Sequence, residues 1–156
     1  MIQKKNERLI VPELLNKLKL GPDDTVLDIG SGTGNLTIPI SFLVGKITAL
    51  DHGKCLESMR KRFPKSENII FLPGNILDIN INTLFSKILL YSVLHYLSDS
   101  AQVLRVIKKT ARLLESDGIL LLGDIPNINK LDRFLSTNEG KDYYAKFIKN
   151  IPNPIL

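Results

Sequence analysis

The stretch that decides the fold is Val26-Leu-Asp-Ile-Gly-Ser-Gly-Thr-Gly-Asn-Leu-Thr37. It begins as a short apolar run, and Gly30, Gly32 and Gly34 follow that run directly. Glycines at such a point let the backbone turn tightly and approach a ligand without an intervening side chain. A helix that begins after the turn would present free N–H groups, which favour a carboxylate or a phosphate. The stretch therefore predicts a strand, a ligand-binding turn and a helix, in that order.

Short apolar runs recur along the chain and are separated by longer amphipathic stretches. Five such runs read as strands: Thr25–Ile29, Lys46–Leu50, Asn68–Leu72, Lys87–Val93 and Gly118–Leu122. Continuous apolar strands that alternate with helical stretches are typical of a parallel sheet with helices on both faces. The pattern therefore predicts an α/β fold.

Three helices are readable from apolar spacing and end signals. The first spans Glu7–Leu18 and stops before Gly21-Pro22. Ser98 can cap a second helix, Asp99–Leu114, whose apolar face would comprise Val103, Leu104, Ile107, Ala111 and Leu114. Its opposite face carries Arg105, Lys108, Lys109 and Arg112, which form either a solvated face or a basic patch. The irregular last segment, residues 127–156, predicts one short helix around Lys141–Lys149.

Length and composition limit the classes of protein to consider. The chain has 156 residues, of which 44% are hydrophobic and 24% charged, so we expect a single domain with a buried core. Its one cysteine, Cys55, excludes an internal disulfide and a cysteine-based zinc site, and suits a reducing cytoplasm. We expect no metal, no signal peptide and no membrane span. The net charge of +5 permits an acidic partner without requiring one.

The glycine spacing separates three classes of ligand. A mononucleotide loop ends in Gly-Lys-Ser/Thr, which is absent, and the dinucleotide pattern would need Gly or Ala where Asn35 stands. The pattern left is Asp-x-Gly-x-Gly-x-Gly, with Asp28 as the acid. It resembles motif I of the class I S-adenosylmethionine-dependent methyltransferases. The resemblance covers residues 8–126 and implies a three-layer Rossmann-like sandwich with strand order 3-2-1-4-5.

The same resemblance implies a set of cofactor contacts. Asp51, which ends the second strand, would accept the ribose hydroxyls, as an acid does in dinucleotide sites. His52 lies where the family stacks a side chain on adenine, although it reads equally as a half-exposed loop histidine. Asp28 would act on the ammonium of the methionine part, and either Asn75 or Asp78 would accept from the adenine amino group. The remaining cofactor-binding candidates are Gly30, Ser31, Gly32, Gly34, Ile76 and Ser92.

The stretch Leu90-Tyr-Ser-Val-Leu-His-Tyr-Leu97 resembles the acceptor wall of small-molecule methyltransferases in this family. The implied reaction transfers a methyl group to a small acceptor and leaves S-adenosylhomocysteine. Tyr91 and His95 are the catalytic candidates, and His95 is the only plausible base near neutral pH. Its alternative interpretation is a packing histidine at the start of a loop helix. Two other functions stay open: an RNA methyltransferase, and a non-catalytic cofactor-binding or partner module.

The family normally adds a sixth and a seventh strand, for which this sequence offers no run after the fifth. The chain is therefore expected to resemble a truncated member. Without those strands the fifth strand becomes an apolar sheet edge, and such an edge invites pairing with another chain. We accordingly predict a homodimer or a partner chain along this edge.

Overall fold

A computed structural model describes residues 2–125 and 127–148 of the chain. These residues form two compact units that divide between Gly123 and Asp124. The two units are described separately below.

The first unit is built on a five-stranded sheet. Its strands are β1 (Thr25–Ile29), β2 (Lys46–Asp51), β3 (Ile69–Pro73), β4 (Phe85–Tyr91) and β5 (Leu114–Gly123). All neighbouring strands are parallel, and their order is β3-β2-β1-β4-β5. The predicted topology is therefore confirmed. The order reverses between β1 and β4, which is where ligands bind in open sheets of this kind.

Four helices accompany the sheet: α1 (Ile2–Leu18), α2 (Thr37–Ser41), α3 (Gly53–Arg62) and α4 (Ser100–Ala111). Successive residues of a strand point to opposite faces, so each face has its own core. Val26 belongs to a cluster with Leu14, Ile40 and Met59, from α1, α2 and α3. Leu27 belongs to another cluster, which includes Val106 of α4. The result is the predicted three-layer arrangement.

The strands are in register at their carboxyl ends. Ile29 is level with Leu50 and Leu90, so the residues that follow these three form one row across the sheet. In that row Asp51 pairs with Pro73, and Tyr91 pairs with Gly123. The first glycine joins the row because the Gly30 N–H donates to the Leu50 carbonyl at 2.8 Å. Chemistry-bearing residues from separate strands are thereby brought to one edge.

Two boundaries predicted around β4 and β5 are wrong. β4 ends at Tyr91 and not at Val93, because Ser92 has a left-handed φ of 57° that turns the chain. β5 begins at Leu114 and not at Gly118, since Phe85 of β4 pairs with Leu114 beyond a register shift.

Three details predicted for the helices are also corrected. α1 begins at Ile2, ahead of the predicted Glu7. Asp99 caps α4 by accepting from the Gln102 N–H at 2.8 Å, while the Ser98 hydroxyl donates to Asp99 instead. The inner face of α4 carries Val106 and Thr110, whereas Leu104, predicted to be inside, is 51% exposed.

The second unit contains α5 (Leu131–Leu135) and α6 (Asn138–Tyr143), followed by a π-turn over Tyr144–Ile148. The Thr137 hydroxyl caps α6 by accepting from the Gly140 N–H at 3.0 Å. Phe134 and Tyr143 pack edge to face at 5.9 Å. The helix predicted at Lys141–Lys149 thus begins earlier, and residue 149 lies outside the described residues.

Within residues 2–125 and 127–148, no helix has the length and apolar character needed to cross a membrane.

Candidate active site

A cavity of about 580 Å³ opens at the carboxyl ends of β1, β2 and β4. Its walls come from the glycine turn, from the ends of β2 and β3, and from the segment that follows β4. The lining residues are Ile29, Gly30, Gly32, Leu50, Asp51, His52, Cys55, Gly74, Asn75, Ile76, Tyr91, Ser92, Val93, Tyr96 and Leu97. Eight of the twelve predicted site residues are therefore in one place: Gly30, Gly32, Asp51, His52, Asn75, Ile76, Tyr91 and Ser92.

The glycine turn is held by the close approach of its neighbours. Gly30, Gly32 and Gly34 all have left-handed φ values, of 74°, 56° and 87°. A Cβ at Gly30 would lie 2.4 Å from a Val93 methyl, and one at Gly34 would lie 2.5 Å from Met59 Cγ. A Cβ at Gly32 would meet no atom within 4 Å, so this glycine faces open space. The turn therefore packs tightly at its two ends and presents bare backbone to the cavity at its centre.

Asp51 is the acid on the cavity wall, and its carboxylate is already oriented. Oδ2 accepts from the Gly32 N–H at 2.7 Å, and Oδ1 accepts from the N–H of the next residue, His52, at 2.6 Å. Each carboxylate oxygen can accept more than one hydrogen bond, so the carboxylate retains capacity for a ligand. The carboxylate thus joins the end of β2 to the centre of the glycine turn.

Cys55 lies beside Asp51, and sequence reasoning missed it. Burial raises the pKa of the Cys55 thiol, and the charge and hydrogen bonding of Asp51 raise it further. The thiol is therefore a donor to the carboxylate and not a thiolate. The signal available in the sequence is only proximity, since Cys55 follows shortly after Asp51.

Asp28 lies beneath the turn and not on the cavity wall. It is 3% exposed, and its Oδ2 accepts from the Thr37 hydroxyl at 2.6 Å. Burial raises the pKa of Asp28 to about 6; the hydrogen bond from Thr37 opposes this rise, and the Asp51 charge adds to it. The direct contact with a bound ammonium expected from the sequence is not supported by this position. Asp28 instead ties β1 to the start of α2.

Three other predicted residues are also absent from the cavity lining. Gly34 is buried against Met59, and the Ser31 hydroxyl is buried with no hydrogen-bond partner among the described residues. His95 is exposed, and its ring lies 4.2 Å from the ring of Tyr96. The structure therefore does not bring His95 to the wall formed by Tyr91 and Ser92, and its role as a base stays a prediction.

The residues predicted to contact the adenine differ in whether they line the cavity. The Asn75 side-chain oxygen accepts from the Leu77 N–H at 2.9 Å, so this oxygen keeps the capacity to accept one further hydrogen bond. Ile76 is 5% exposed and supplies an apolar wall. Asp78, the alternative to Asn75, is exposed and outside the lining. Among the described residues no cluster of His, Cys, Asp or Glu could hold a metal ion.

Tyr91 and Ser92 form the wall at the end of β4. A Cβ on Gly123 would lie 2.4 Å from the Tyr91 ring, so this glycine gives the ring its place at the end of the sheet. Ser92 has a left-handed φ, and its N–H donates to the Gly123 carbonyl at 3.2 Å. Backbone in this region costs free energy and is common where a site needs it. Tyr96 and Leu97 complete this wall, and of these two only Leu97 was missed by sequence reasoning.

Comparison with known proteins decides the family. The sequence model described as "Nodulation protein S (NodS)" matches residues 8–130, which is most of the chain. The chain belongs to the NodS family.

Individual members and relatives agree with this assignment. The nodulation protein S of Rhizobium tropici is 26% identical over 117 residues, covering 74% of this chain and 49% of that protein. The crystal structure of the N-methyltransferase NodS from Bradyrhizobium japonicum WM9, in complex with S-adenosyl-L-homocysteine, superposes with a TM-score of 0.67. That match has 25% identity and covers 72% of this chain and 59% of the other. NodS membership confirms the predicted class I S-adenosylmethionine-dependent methyltransferase family.

A relative of another kind also matches. The ribosomal RNA small subunit methyltransferase A of Desulforapulum autotrophicum is 27% identical over 137 residues, covering 83% of this chain and 45% of that protein. The chain thus spans about half the length of both relatives.

Proposed function

We propose that this chain binds S-adenosylmethionine in the cavity at the carboxyl ends of β1, β2 and β4, and transfers its methyl group to a small-molecule acceptor. The observation that carries the proposal is the joint presence of Gly32 and Asp51 on the wall of one cavity, joined by the 2.7 Å hydrogen bond. This pairing supplies bare backbone and an oriented carboxylate at the edge where such sheets bind nucleotides.

The residues present suit this cofactor. The open space beside Gly32 admits a ligand against the backbone, which a side chain there would block. Asp51 offers carboxylate oxygens for the two ribose hydroxyls, and Ile76 offers an apolar surface for the adenine ring. Asn75 keeps one acceptor position for an exocyclic amino group, and His52 borders the same region. Asp28 would act on the cofactor only through the loop it supports.

Methyl transfer requires the protein mainly to align the methyl donor with the acceptor and to exclude water. The bound cofactor supplies a methyl group on a sulfonium, which is already activated toward an attacking lone pair. The chain's task is to hold the acceptor in line and keep the site dry, which is an entropic and solvation effect. Tyr91, Ser92 and Tyr96 supply hydroxyls that can orient the acceptor, while Val93 and Leu97 exclude water. A base is needed only where the acceptor must lose a proton.

A nitrogen atom of a small molecule is the acceptor we propose. The support is the similarity in fold to the N-methyltransferase NodS of Bradyrhizobium japonicum WM9. His95 and Tyr91 are proposed to assist at the acceptor side. We also propose that the protein acts in the cytoplasm, since its single cysteine is free.

An RNA acceptor is the second candidate, favoured by the similarity to ribosomal RNA small subunit methyltransferase A. The basic face of α4 is its proposed docking surface, but that face is partly engaged. Lys109 donates to the backbone carbonyls of Leu77 at 3.3 Å and Ile79 at 2.5 Å, and thus holds the segment after β3. A phosphate-binding lysine would be available to its partner. We therefore rank RNA below a small molecule.

The test is methyl transfer from S-adenosylmethionine carrying a labelled methyl group. One set of reactions contains a panel of small primary and secondary amines, and the other contains total RNA. Label recovered on an amine, with release of S-adenosylhomocysteine, supports the proposal. Label on RNA, abolished by moderate salt, supports the second candidate. Cofactor binding without transfer to either supports a non-catalytic binding module.

A further inference from the structure

α3 reaches both the cavity and the glycine turn. Its first residues border the cavity, since His52 precedes the helix and Cys55 lies in its first turn. Its last turn lies against the glycine turn, where the fully buried Met59 fills the space under Gly34. One helix therefore contacts the two parts of the cofactor site that the sequence keeps about twenty residues apart.

Arg62, the last residue of α3, forms a set of hydrogen bonds to the outer side of the glycine turn, the Arg62 clasp. Its Nη1 donates to the Thr33 carbonyl at 2.8 Å, to the Thr33 hydroxyl at 3.2 Å and to the Asn35 side-chain oxygen at 2.9 Å. These acceptors lie on either side of Gly34, which has a φ of 87°. The guanidinium thereby links the residue before Gly34 to the residue after it.

The clasp compensates for the freedom of the glycines. A turn with glycine at positions 30, 32 and 34 loses more conformational entropy on ordering than it would with any other residue at these positions. A Cβ at Gly32 would meet no atom, so at this position the turn is restrained by the Gly32 N–H hydrogen bond to Asp51 and not by side-chain packing. Met59 restrains it from beneath and Arg62 from outside. Arg62 itself is exposed and does not line the cavity, so it cannot be a ligand-contacting group.

We propose that Arg62 is a positioning residue for the cofactor site: its hydrogen bonds to Thr33 and Asn35 keep the glycine turn in the conformation in which the Gly32 N–H meets Asp51. Only the expected effect on cofactor binding rests on the proposed function; the expected effect on the conformation of the turn does not. When a binding-competent conformation is populated part of the time, the apparent dissociation constant rises by the inverse of that fraction. Loss of the clasp should therefore weaken cofactor binding without removing any contact to the cofactor.

The test compares Arg62→Gln with Lys61→Gln, which removes the same charge from the neighbouring exposed position of α3. We expect Arg62→Gln to raise the dissociation constant for S-adenosylhomocysteine roughly five- to tenfold, and Lys61→Gln to change it less than about twofold. Arg62→Lys keeps the charge but loses the planar fork, so its constant should lie between those of wild type and Arg62→Gln. Combining Arg62→Gln with Asn35→Ala should cost less than the sum of the two changes.

Amide hydrogen exchange of the ligand-free protein supplies the independent readout. Arg62→Gln should accelerate exchange at residues 32–35, while the strands β1 and β2 keep their protection. Equal exchange in Arg62→Gln and Lys61→Gln would overturn the inference, as would equal affinities. If wild type binds no S-adenosylhomocysteine, the proposed function fails, and the exchange experiment still decides whether Arg62 orders the turn.

Discussion

The buried acid Asp28 makes the stability of the protein depend on pH in a direction opposite to the usual carboxylate. Its pKa rises from 3.8 to about 6 on folding, because burial disfavours the charged form more than Thr37 stabilises it. A shift of about 2 units is worth about 3 kcal/mol at about 1.4 kcal/mol per unit. The folded state binds this proton more tightly than the unfolded state does. The stability it contributes is complete below about pH 4 and is lost as pH rises through about 6.

The variant Asp28→Asn isolates this effect. The amide oxygen can still accept from Thr37, but the side chain never ionises. The free energy of unfolding of the variant minus that of wild type should increase by up to about 3 kcal/mol between pH 4 and pH 7.5. Any constant cost of burying the amide N–H groups shifts the whole curve and leaves its slope unchanged.

The assay is urea denaturation of wild type and variant at half-unit intervals from pH 4 to pH 7.5. Asp78→Asn is the control, since it makes the same chemical change at an exposed position outside the cavity. A difference for Asp28→Asn that stays constant with pH, or that falls as pH rises, would refute the reasoning.

Three further outcomes follow from the same structure. Gly34→Ala should lower the free energy of unfolding by about 2–4 kcal/mol, because it combines a left-handed φ with a 2.5 Å clash against Met59. The control is Gly53→Ala, whose Cβ would meet no atom within 4 Å. Its free energy of unfolding should stay within about 1 kcal/mol of wild type in the same denaturation assay. Cys55 should react with iodoacetamide at pH 8 more slowly than a free thiol, because its pKa is raised. Saturating S-adenosylhomocysteine should slow the reaction further, as measured by mass spectrometry. If the ligand does not protect Cys55, the assignment of this residue to the cofactor cavity is contradicted. β5 is the last strand in the sheet order, and pairing along such a strand predicts self-association; light scattering at high concentration should show a dimer, and a monodisperse monomer would contradict it.

The sheet could be predicted from the sequence because every strand contains a short apolar run, and all but β4 stop at glycine, proline or an acid. The errors in the element bounds and in the buried helix face arise at apolar residues that do not have the position that the pattern predicts. The apolar pattern extends β4 to Val93, yet Val93 lies beyond the turn at Ser92 and packs over Gly30. The helical pattern places Leu104 on the inner face of α4, whereas Val106 and Thr110 are the buried residues of this helix. A hydrophobic pattern predicts burial, but it does not say against what.

The candidate site was predictable to the extent that its residues end strands. Asp51 and Tyr91 follow this rule and Asn75 comes two residues after β3, so parallel strands bring the three together. Asp28 also stands near a strand end, but it points to the face covered by α2 and meets Thr37. Contacts made by helix α3 could not be predicted, because neither Cys55 nor Arg62 belongs to a motif. Their places depend on how the helix packs, which the sequence pattern leaves open.

The most direct test of the account is calorimetric titration of S-adenosylmethionine and S-adenosylhomocysteine into wild type, Asp51→Ala and Asp78→Ala. The two variants remove the same charge, one from the cavity wall and one from an exposed position outside it. We predict micromolar binding to wild type and to Asp78→Ala, and loss of binding in Asp51→Ala. Absence of binding to folded wild type, or equal binding to all three proteins, would contradict the central claim that Asp51 and the glycine turn form the cofactor site.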